Sequence, residues 1–271
     1  MQRGARHQCA IEISGFDAAP IDRIRYRNAA RGGGSTVETL EITRAHTRGL
    51  PDSLDAIVVT SDLQGIVPDP RTNEPALLGV CVAKALEALA FRHVLPPLDR
   101  TAAVLAGDFY SVPTADKRGG FGDVACVWQA FSERFAWVAG VAGNHDDIAA
   151  VECSDRARLL DTDVVALGGL RIGGVGRIAG NPAKHGRRAE DEQLARIALV
   201  AGEGVDLLVL HEGPSGAEDG QAGHPGIRAI LDRHPVPLTV CGHLHWPSPL
   251  SRDRSGCQIL NVDARVIVLA R

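Results

Sequence analysis

Five times along this chain a short apolar run breaks off into glycine and the residue types that bind metals. The stretches are Ser61-Asp62-Leu63-Gln64-Gly65, Gly107-Asp108, Gly143-Asn144-His145-Asp146, His211-Glu212-Gly213 and Gly242-His243-Leu244-His245. Short β-branched runs such as DAIVVT at 55–60 read as buried strands. In an α/β sheet the carboxyl ends of the strands form the crevice where ligands bind, so the five stretches can converge. Asp62 and Gln64, like His243 and His245, are two apart, and on extended backbone both members of a pair face the same way. Singly each signal is weak, because an Asp after a strand is commonly a helix N-cap and a loop Asn or His commonly bonds locally. Only their ordered recurrence points to a site.

The remaining pattern places these stretches in a mixed α/β sandwich. Strands are predicted at 55–60, 101–106, 136–141, 164–167, 170–175, 205–210, 237–241, 258–261 and 265–269. Helical spacing predicts helices over 75–93, where Leu78, Val82, Leu86 and Leu89 recur, near 123–135, over 189–202 with its acidic first turn, and over 226–234. Strands alternating with helices, then crowding together near the end, give the fold class. Residues 1–50 read as an N-terminal extension with candidate strands at 9–14 and 37–43; the glycine-rich segment 32–36 between them could form an anion-binding nest, but it lacks the G-x-x-x-x-G-K-[ST] pattern and reads as a plain hairpin connection or a linker, with residues 51–271 as the main domain. The run Gly174 to Ala179 imitates a dinucleotide fingerprint, but Gly180, Asn181 and Pro182 break the helix that motif needs. It reads as a flexible loop.

Composition excludes other classes. With 45% hydrophobic and 23% charged residues in 271, the chain is neither disordered nor collagenous. Its apolar runs fall far short of the ~18 residues of a membrane span, and residues 1–9 are polar and Arg-rich with no apolar leader core, so the expectation is a cytoplasmic protein with no membrane partner. Six cysteines, Cys9, Cys81, Cys126, Cys153, Cys241 and Cys257, form no C-x-x-C pair and are expected to be reduced core residues. The net charge of -4 divides unevenly: residues 1–49 carry eight Arg against five acids, ahead of an acidic body. Without clustering on one face, that balance does not indicate nucleic acid.

In order and spacing the five stretches resemble the calcineurin-like metallophosphoesterases, whose motifs run D-x-H, G-D, G-N-H-[DE], H and G-H-x-H. The resemblance runs from about residue 55 to the C-terminus, is most specific at G-N-H-D and G-H-L-H, and leaves the extension unexplained. It implies a four-layer α/β/β/α sandwich and two divalent cations a few ångström apart. The implied enzyme is a metal-dependent phosphoesterase that hydrolyses a phosphomonoester or phosphodiester by in-line attack of a metal-bridging water or hydroxide. By position, Asp62, Gln64, Asp108 and His245 would hold the first cation, and Asp108, Asn144, His211 and His243 the second. By the same resemblance His145 contacts the phosphate and protonates the leaving oxygen. Asp146, the other catalytic-loop candidate, is expected to brace the loop.

Two departures stand out. The imidazole of D-x-H is Gln64 here, and its amide oxygen is a harder, weaker ligand, which favours Mn²⁺ or Fe over Zn²⁺. Some members place an acid shortly after G-D to orient the catalytic His, whereas Phe109-Tyr110-Ser111-Val112-Pro113 contains none. Substrate choice is left to loops. The segment from Arg177 to Arg188, with Lys184, His185 and Arg187 and no acid, could hold a substrate phosphate, Arg177 first, or be a solvated surface loop. Trp246 and Pro247 could stack on a base or simply pack on the sheet. Two other functions remain open: a nuclease whose basic extension grips DNA or RNA, and a metal-poor scaffold for which Gln64 is a first lost ligand. The ester itself is not specified by the sequence.

Overall fold

The computed structural model describes residues 11–69, 72–117, 119–253 and 255–271; Cys9, and with it the start of the strand expected at 9–14, lies outside them. Strand Ala56–Ser61 is buried at every position, and its side chains alternate between two apolar layers, Ala56 and Val58 in one, Ile57 and Val59 in the other. A strand covered on both faces has to be apolar throughout, which is what made this run legible. The Ala56 side packs on Val82, Leu86 and Leu89 of α1 (Leu78–Phe91) and on Val127, Trp128 and Phe131 of α2 (Ala125–Ser132). The Ile57 side meets Ile172, Leu207, Val209, Leu238 and Val240 of a second sheet. That sheet's outer face, through Val175, Leu208 and Leu210, packs on Ile197 and Val200 of α3 (Glu190–Gly202) and Ile227 and Ile230 of α4 (Pro225–Arg233). The layers run helix, sheet, sheet, helix.

The first sheet runs Ala157–Leu159, Val138–Gly140, Thr101–Leu105, Ala56–Ser61, Arg265–Ala270, Ser35–Arg48, Asp22–Ala29, Ile66–Pro68 and Pro75–Leu77, with Glu12–Phe16 on the other end of Ser35–Arg48. Its first four strands are mutually parallel. The second sheet runs Asp163–Leu167, Leu170–Val175, Leu207–Glu212, Leu238–Gly242, Gln258–Asn261 and Leu250–Arg252, again with four parallel strands in its middle. The polar stretches therefore follow the carboxyl ends of parallel strands.

The N-terminal segment is built into the first sheet and does not merely precede it. Asp22–Ala29 and Ser35–Arg48 form an antiparallel hairpin paired from Asp22↔Ile42 to Ala29↔Ser35. Ser35–Arg48 then lies parallel to Arg265–Ala270, so the hairpin and the last strand are sheet neighbours. Strand Asp22–Ala29 was not expected, although its apolar and charged residues alternate as in a strand with one exposed face. Ile24 and Tyr26 pack on the core, while Arg23, Arg25 and Arg27 are exposed on the opposite face.

Other expectations are corrected. Within the helix predicted at 75–93, Pro75–Leu77 pairs with Ile66–Pro68 as a strand and α1 begins at Leu78. The supposedly flexible run after Gly174 is pinned, because Ile178–Ala179 pairs with Arg187–Arg188 and a Cβ on Gly176 would press on the Ala142 carbonyl at 2.7 Å. Cys241 is buried, but Cys126 and Cys153 are exposed; α2 turns its neighbours Val127 and Trp128 inward instead of Cys126. Trp246 packs, buried, and donates from Nε1 to the Ala222 carbonyl at 2.6 Å. Among the described residues no helix is long and apolar enough to cross a membrane.

Candidate metal centre

Where the strands end, the chain turns abruptly. Asp62, Asp108 and His243 adopt φ of 54°, 58° and 69°, a left-handed conformation that costs a non-glycine residue ~1–3 kcal/mol and persists only where the surroundings impose it. Here the imposing contact is between turns. A Cβ on Gly107 would strike the Gly143 backbone, and one on Gly143 would strike Asp108, so both motifs need glycine to let Asp108 reach the next turn. Asp146 locks the pair. Its buried carboxylate accepts from the N–H groups of Asp108 at 2.7 Å, Phe109 at 2.7 Å, Tyr110 at 3.3 Å and Gly143 at 2.9 Å. Burial, then the charge of Asp108, pushes the Asp146 carboxyl up to about 6. The carboxylate ties the two turns together.

Asp108, His211 and His243 gather, their ligand atoms all within 4.8 Å of one another. Asp108 Oδ2 lies 3.4 Å from His211 Nε2 and 3.4 Å from the Gln64 amide nitrogen. His211 is fully buried, with Nδ1 2.8 Å from the Ala106 carbonyl and Nε2 3.2 Å from Asn144 Oδ1. Asp62 joins through its neighbours: Oδ2 accepts from Ser61 Oγ at 2.5 Å and from the His243 N–H at 2.9 Å. The charges reflect this crowding. Burial, together with Asp263 and Asp108, holds the Asp62 carboxyl well above the usual carboxylate range. Burial opposes charge on Asp108 too, but His211 and His145 outweigh it and hold that carboxyl low. Burial likewise opposes charge on His211, yet Asp108 and Asp62 lift it to about 10, while burial and His211 push His243 down to about 4. A carboxylate, two imidazoles and the Asn144 amide oxygen fit a first-row divalent cation, which would require the His211 ring to be neutral.

His145 stands at the edge of this group. Its Nε2 is 3.9 Å from Asp108 Oδ2, its backbone N–H donates to Asp108 Oδ1 at 2.8 Å, and its Nδ1 is 2.6 Å from the Gly120 carbonyl. The orienting partner absent from residues 109–113 is thus a backbone carbonyl, which carries no signature in a sequence. It assigns the Nδ1 proton and leaves Nε2 on the cleft side.

Not every predicted residue joins the group. His245 is turned to Asp263 and Arg265, with Nδ1 3.0 Å from Asp263 Oδ2 and Nε2 3.1 Å from the Arg265 guanidinium. The basic segment divides. Arg188 is buried and bonded to Asp161, to Gln193 Oε1 at 2.8 Å and to the Gly176 carbonyl at 3.1 Å, a structural role. Arg187 lies near enough for its charge to act on His243. Arg177 and Arg187 line a neighbouring cleft with Asp146, Asp147 and a stacked pair, Phe121 and His185. The cleft over Asp62, Gln64, Asp108, His145 and His243 also takes in residues the sequence did not suggest: Tyr26, Asn28 and Glu38 of the hairpin, Tyr110, Lys117 and Asp263. Asp263 follows a strand end and obeys the rule that found the others; the hairpin residues obey none.

The family model described as calcineurin-like phosphoesterase matches residues 56–247. A crystal structure of TT1561 of Thermus thermophilus is similar to this chain with a TM-score of 0.48 and 18% identity, over 80% of this chain and 88% of that one. No curated protein matches the chain.

Proposed function

This chain belongs to the calcineurin-like phosphoesterase family, and from that premise we propose that it hydrolyses a phosphomonoester or phosphodiester at two divalent cations sharing Asp108. The family implies a metal-dependent phosphoesterase. The observation that carries the finer proposal is the place of Asp108: Oδ2 lies equally far, 3.4 Å, from His211 of the second sheet and from Gln64 of the first motif. Asp108 thus touches a residue of each proposed ligand set; Asp62 and Gln64 would serve one cation with it, and Asn144, His211 and His243 the other. When bound, divalent cations there supply neutralisation of the phosphate oxygens and acidification of water.

The protein's own groups do the rest. Asp62, Asp108 and His243, fixed by their turns, hold donor atoms in place before any ligand arrives, which keeps reorganisation out of the reaction. His145, with Nδ1–H tied to the Gly120 carbonyl, turns Nε2 toward the leaving oxygen and, as the doubly protonated imidazolium, hands it the Nε2 proton. Gln64 makes the first position weaker and oxygen-rich, which supports Mn²⁺ or Fe over Zn²⁺. With His245 bonded to Asp263 and Arg265, Asp62, Gln64 and Asp108 are the protein donors left for the first cation. A nuclease gains no support from the hairpin, whose Arg23, Arg25 and Arg27 stand on the face opposite Tyr26.

The test is elemental analysis after incubation with Mn²⁺ and dialysis, with hydrolysis of an aryl phosphomonoester and an aryl phosphodiester. Two metals per chain with turnover of at least one ester is the expected result. A chain that retains no metal and cleaves neither would overturn the proposal in favour of the scaffold.

A further inference from the structure

The metal-centre cleft, about 360 Å³, falls within the ~300–1,000 Å³ of small-molecule sites. One of its walls is foreign to the family match: Tyr26, Asn28 and Glu38 lie on the hairpin, ahead of residue 56. We propose that this hairpin wall receives the leaving group of the phosphate ester, and that Glu38 Oε1 reads a hydrogen-bond donor, hydroxyl or amine, on that group. The proposal rests on the phosphoesterase reading above and adds the class of alcohol released.

Glu38 is half-buried and held in one orientation. Its Oε2 accepts from the Tyr26 hydroxyl at 2.8 Å and from Asn28 Nδ2 at 3.3 Å. The Asn28 amide cannot be turned the other way, because its Oδ1 accepts from the Ala29 N–H at 2.8 Å. Among the described residues nothing donates to Oε1. A half-buried carboxylate oxygen beside a cleft wants a donor, and a donor on the ligand supplies one. Tyr26 stays a donor to Glu38, since burial and that carboxylate push its hydroxyl far up. The wall is also fixed relative to the centre: a Cβ on Gly65, the residue after Gln64, would strike the Tyr26 ring, so hairpin and first motif are in direct contact.

Charge narrows the class. This wall presents a carboxylate, and its three arginines stand on the opposite face, so an anionic group seated against this wall is disfavoured, although Lys117 lines the cleft elsewhere. The fitting groups are neutral polyols, such as a sugar, and amino alcohols. In the reaction the bond from phosphorus to the leaving oxygen breaks, water supplies the new P–O bond, and the alcohol departs with the His145 proton. Glu38 binds and takes no part in bond making.

Glu38→Gln is the decisive variant. Tyr26 and Asn28 both donate, so they retain the amide oxygen, and the NH₂ takes the place of Oε1, turning the acceptor into a donor. Each ester type offers a pair of Mn²⁺-dependent substrates: phenyl phosphate against ribose 5-phosphate, and bis(p-nitrophenyl) phosphate against glycerophosphoethanolamine. The ratio of kcat/KM, donor-bearing over aryl, should fall about 10–100-fold in Glu38→Gln, mainly through KM. Arg25→Ala, on the opposite face of the same strand, should leave that ratio unchanged. In the His145→Ala background, slow enough to titrate, calorimetry should show ribose 5-phosphate or ethanolamine phosphate binding more tightly than inorganic phosphate, and Glu38→Gln should erase the difference. The ribose and ethanolamine arms tell hydroxyl from amine. Turnover of aryl esters with an unchanged ratio, or no turnover of donor-bearing esters by the parent enzyme, sinks the hairpin proposal alone; no turnover of any ester sinks the phosphoesterase reading and this proposal with it.

Discussion

Asp108 and His145 touch each other, yet their tasks are separable by mutation. Asp108→Ala removes the carboxylate proposed to be shared by the two cations, so metal content should fall below two per chain and turnover should vanish. His145→Ala should keep the metal and lose roughly 10²–10⁴ in rate, the worth of general acid catalysis. Normal loading and activity in Asp108→Ala would show that the assignment is wrong. His211 gives a pH test. Its folded value of about 10 lies above its ordinary 6.5, so the stability its proton confers on the metal-free protein is complete below pH 6.5 and lost as pH rises toward 10. Ligation requires the neutral ring. Both effects act in one direction: the rise in melting temperature produced by Mn²⁺ should grow between pH 6 and pH 9. A pH-independent rise would mean that His211 is already neutral in the free protein. Gln64→His should tighten the first cation and broaden its use toward Zn²⁺, which competition with a chelator measures; identical affinity would place residue 64 outside the coordination sphere.

At the scale of elements, turns decide more than strands do. Asp146 ties the turn after Thr101–Leu105 to the turn after Val138–Gly140 through four backbone donors. Removing the acceptor strands buried N–H groups at ~1–3 kcal/mol apiece, partly relieved by water. Asp146→Ala should therefore cost about 2–4 kcal/mol in urea unfolding and lower metal occupancy with it. A stable, metal-free Asp146→Ala protein would instead make Asp146 a ligand. The segment from Ile178 to Arg188 separates into two kinds of arginine. Arg188→Ala should lower stability by ~1–3 kcal/mol, since it opens the contacts with Gln193 and Gly176. Arg187→Ala should leave stability near its parent value and raise KM for a phosphate ester. If Arg188→Ala changed KM alone, its buried bonding would not be what holds the segment.

For the molecule as a whole, the layer of Ile57, Val59, Ile172, Leu207 and Val240 joins the two sheets, and Ser35–Arg48 joins the hairpin to the last strand. The protein should unfold in one transition, with near-ultraviolet and far-ultraviolet dichroism coincident on heating. Separate transitions would divide the sheets into independent units. The same connectivity explains why the N-terminal segment belongs to the site: Thr47 Oγ1 donates to the Ala270 carbonyl at 2.8 Å, and the hairpin this anchors reaches the metal-centre cleft at its other end.

Local chemistry was enough for much of this. DAIVVT had to be a doubly covered strand, the glycine-flanked ligand types had to sit at strand ends, and the i, i+2 pairs could be named without coordinates, because φ/ψ preference and side-chain alternation act over a few residues. The sequence also determined the family, through G-N-H-D and G-H-L-H. What only the tertiary structure decided lies where distant segments meet. Arg265, twenty positions on, turns His245 toward itself and Asp263. His145 is oriented by a carbonyl, which every residue possesses, so no side chain could announce it. Asp22–Ala29 carries a strand's alternation, but its approach to Gln64 depends on pairing with Ser35–Arg48, itself placed by Arg265–Ala270. Such contacts are selected by the packing of the whole core, and no window along the chain contains both partners.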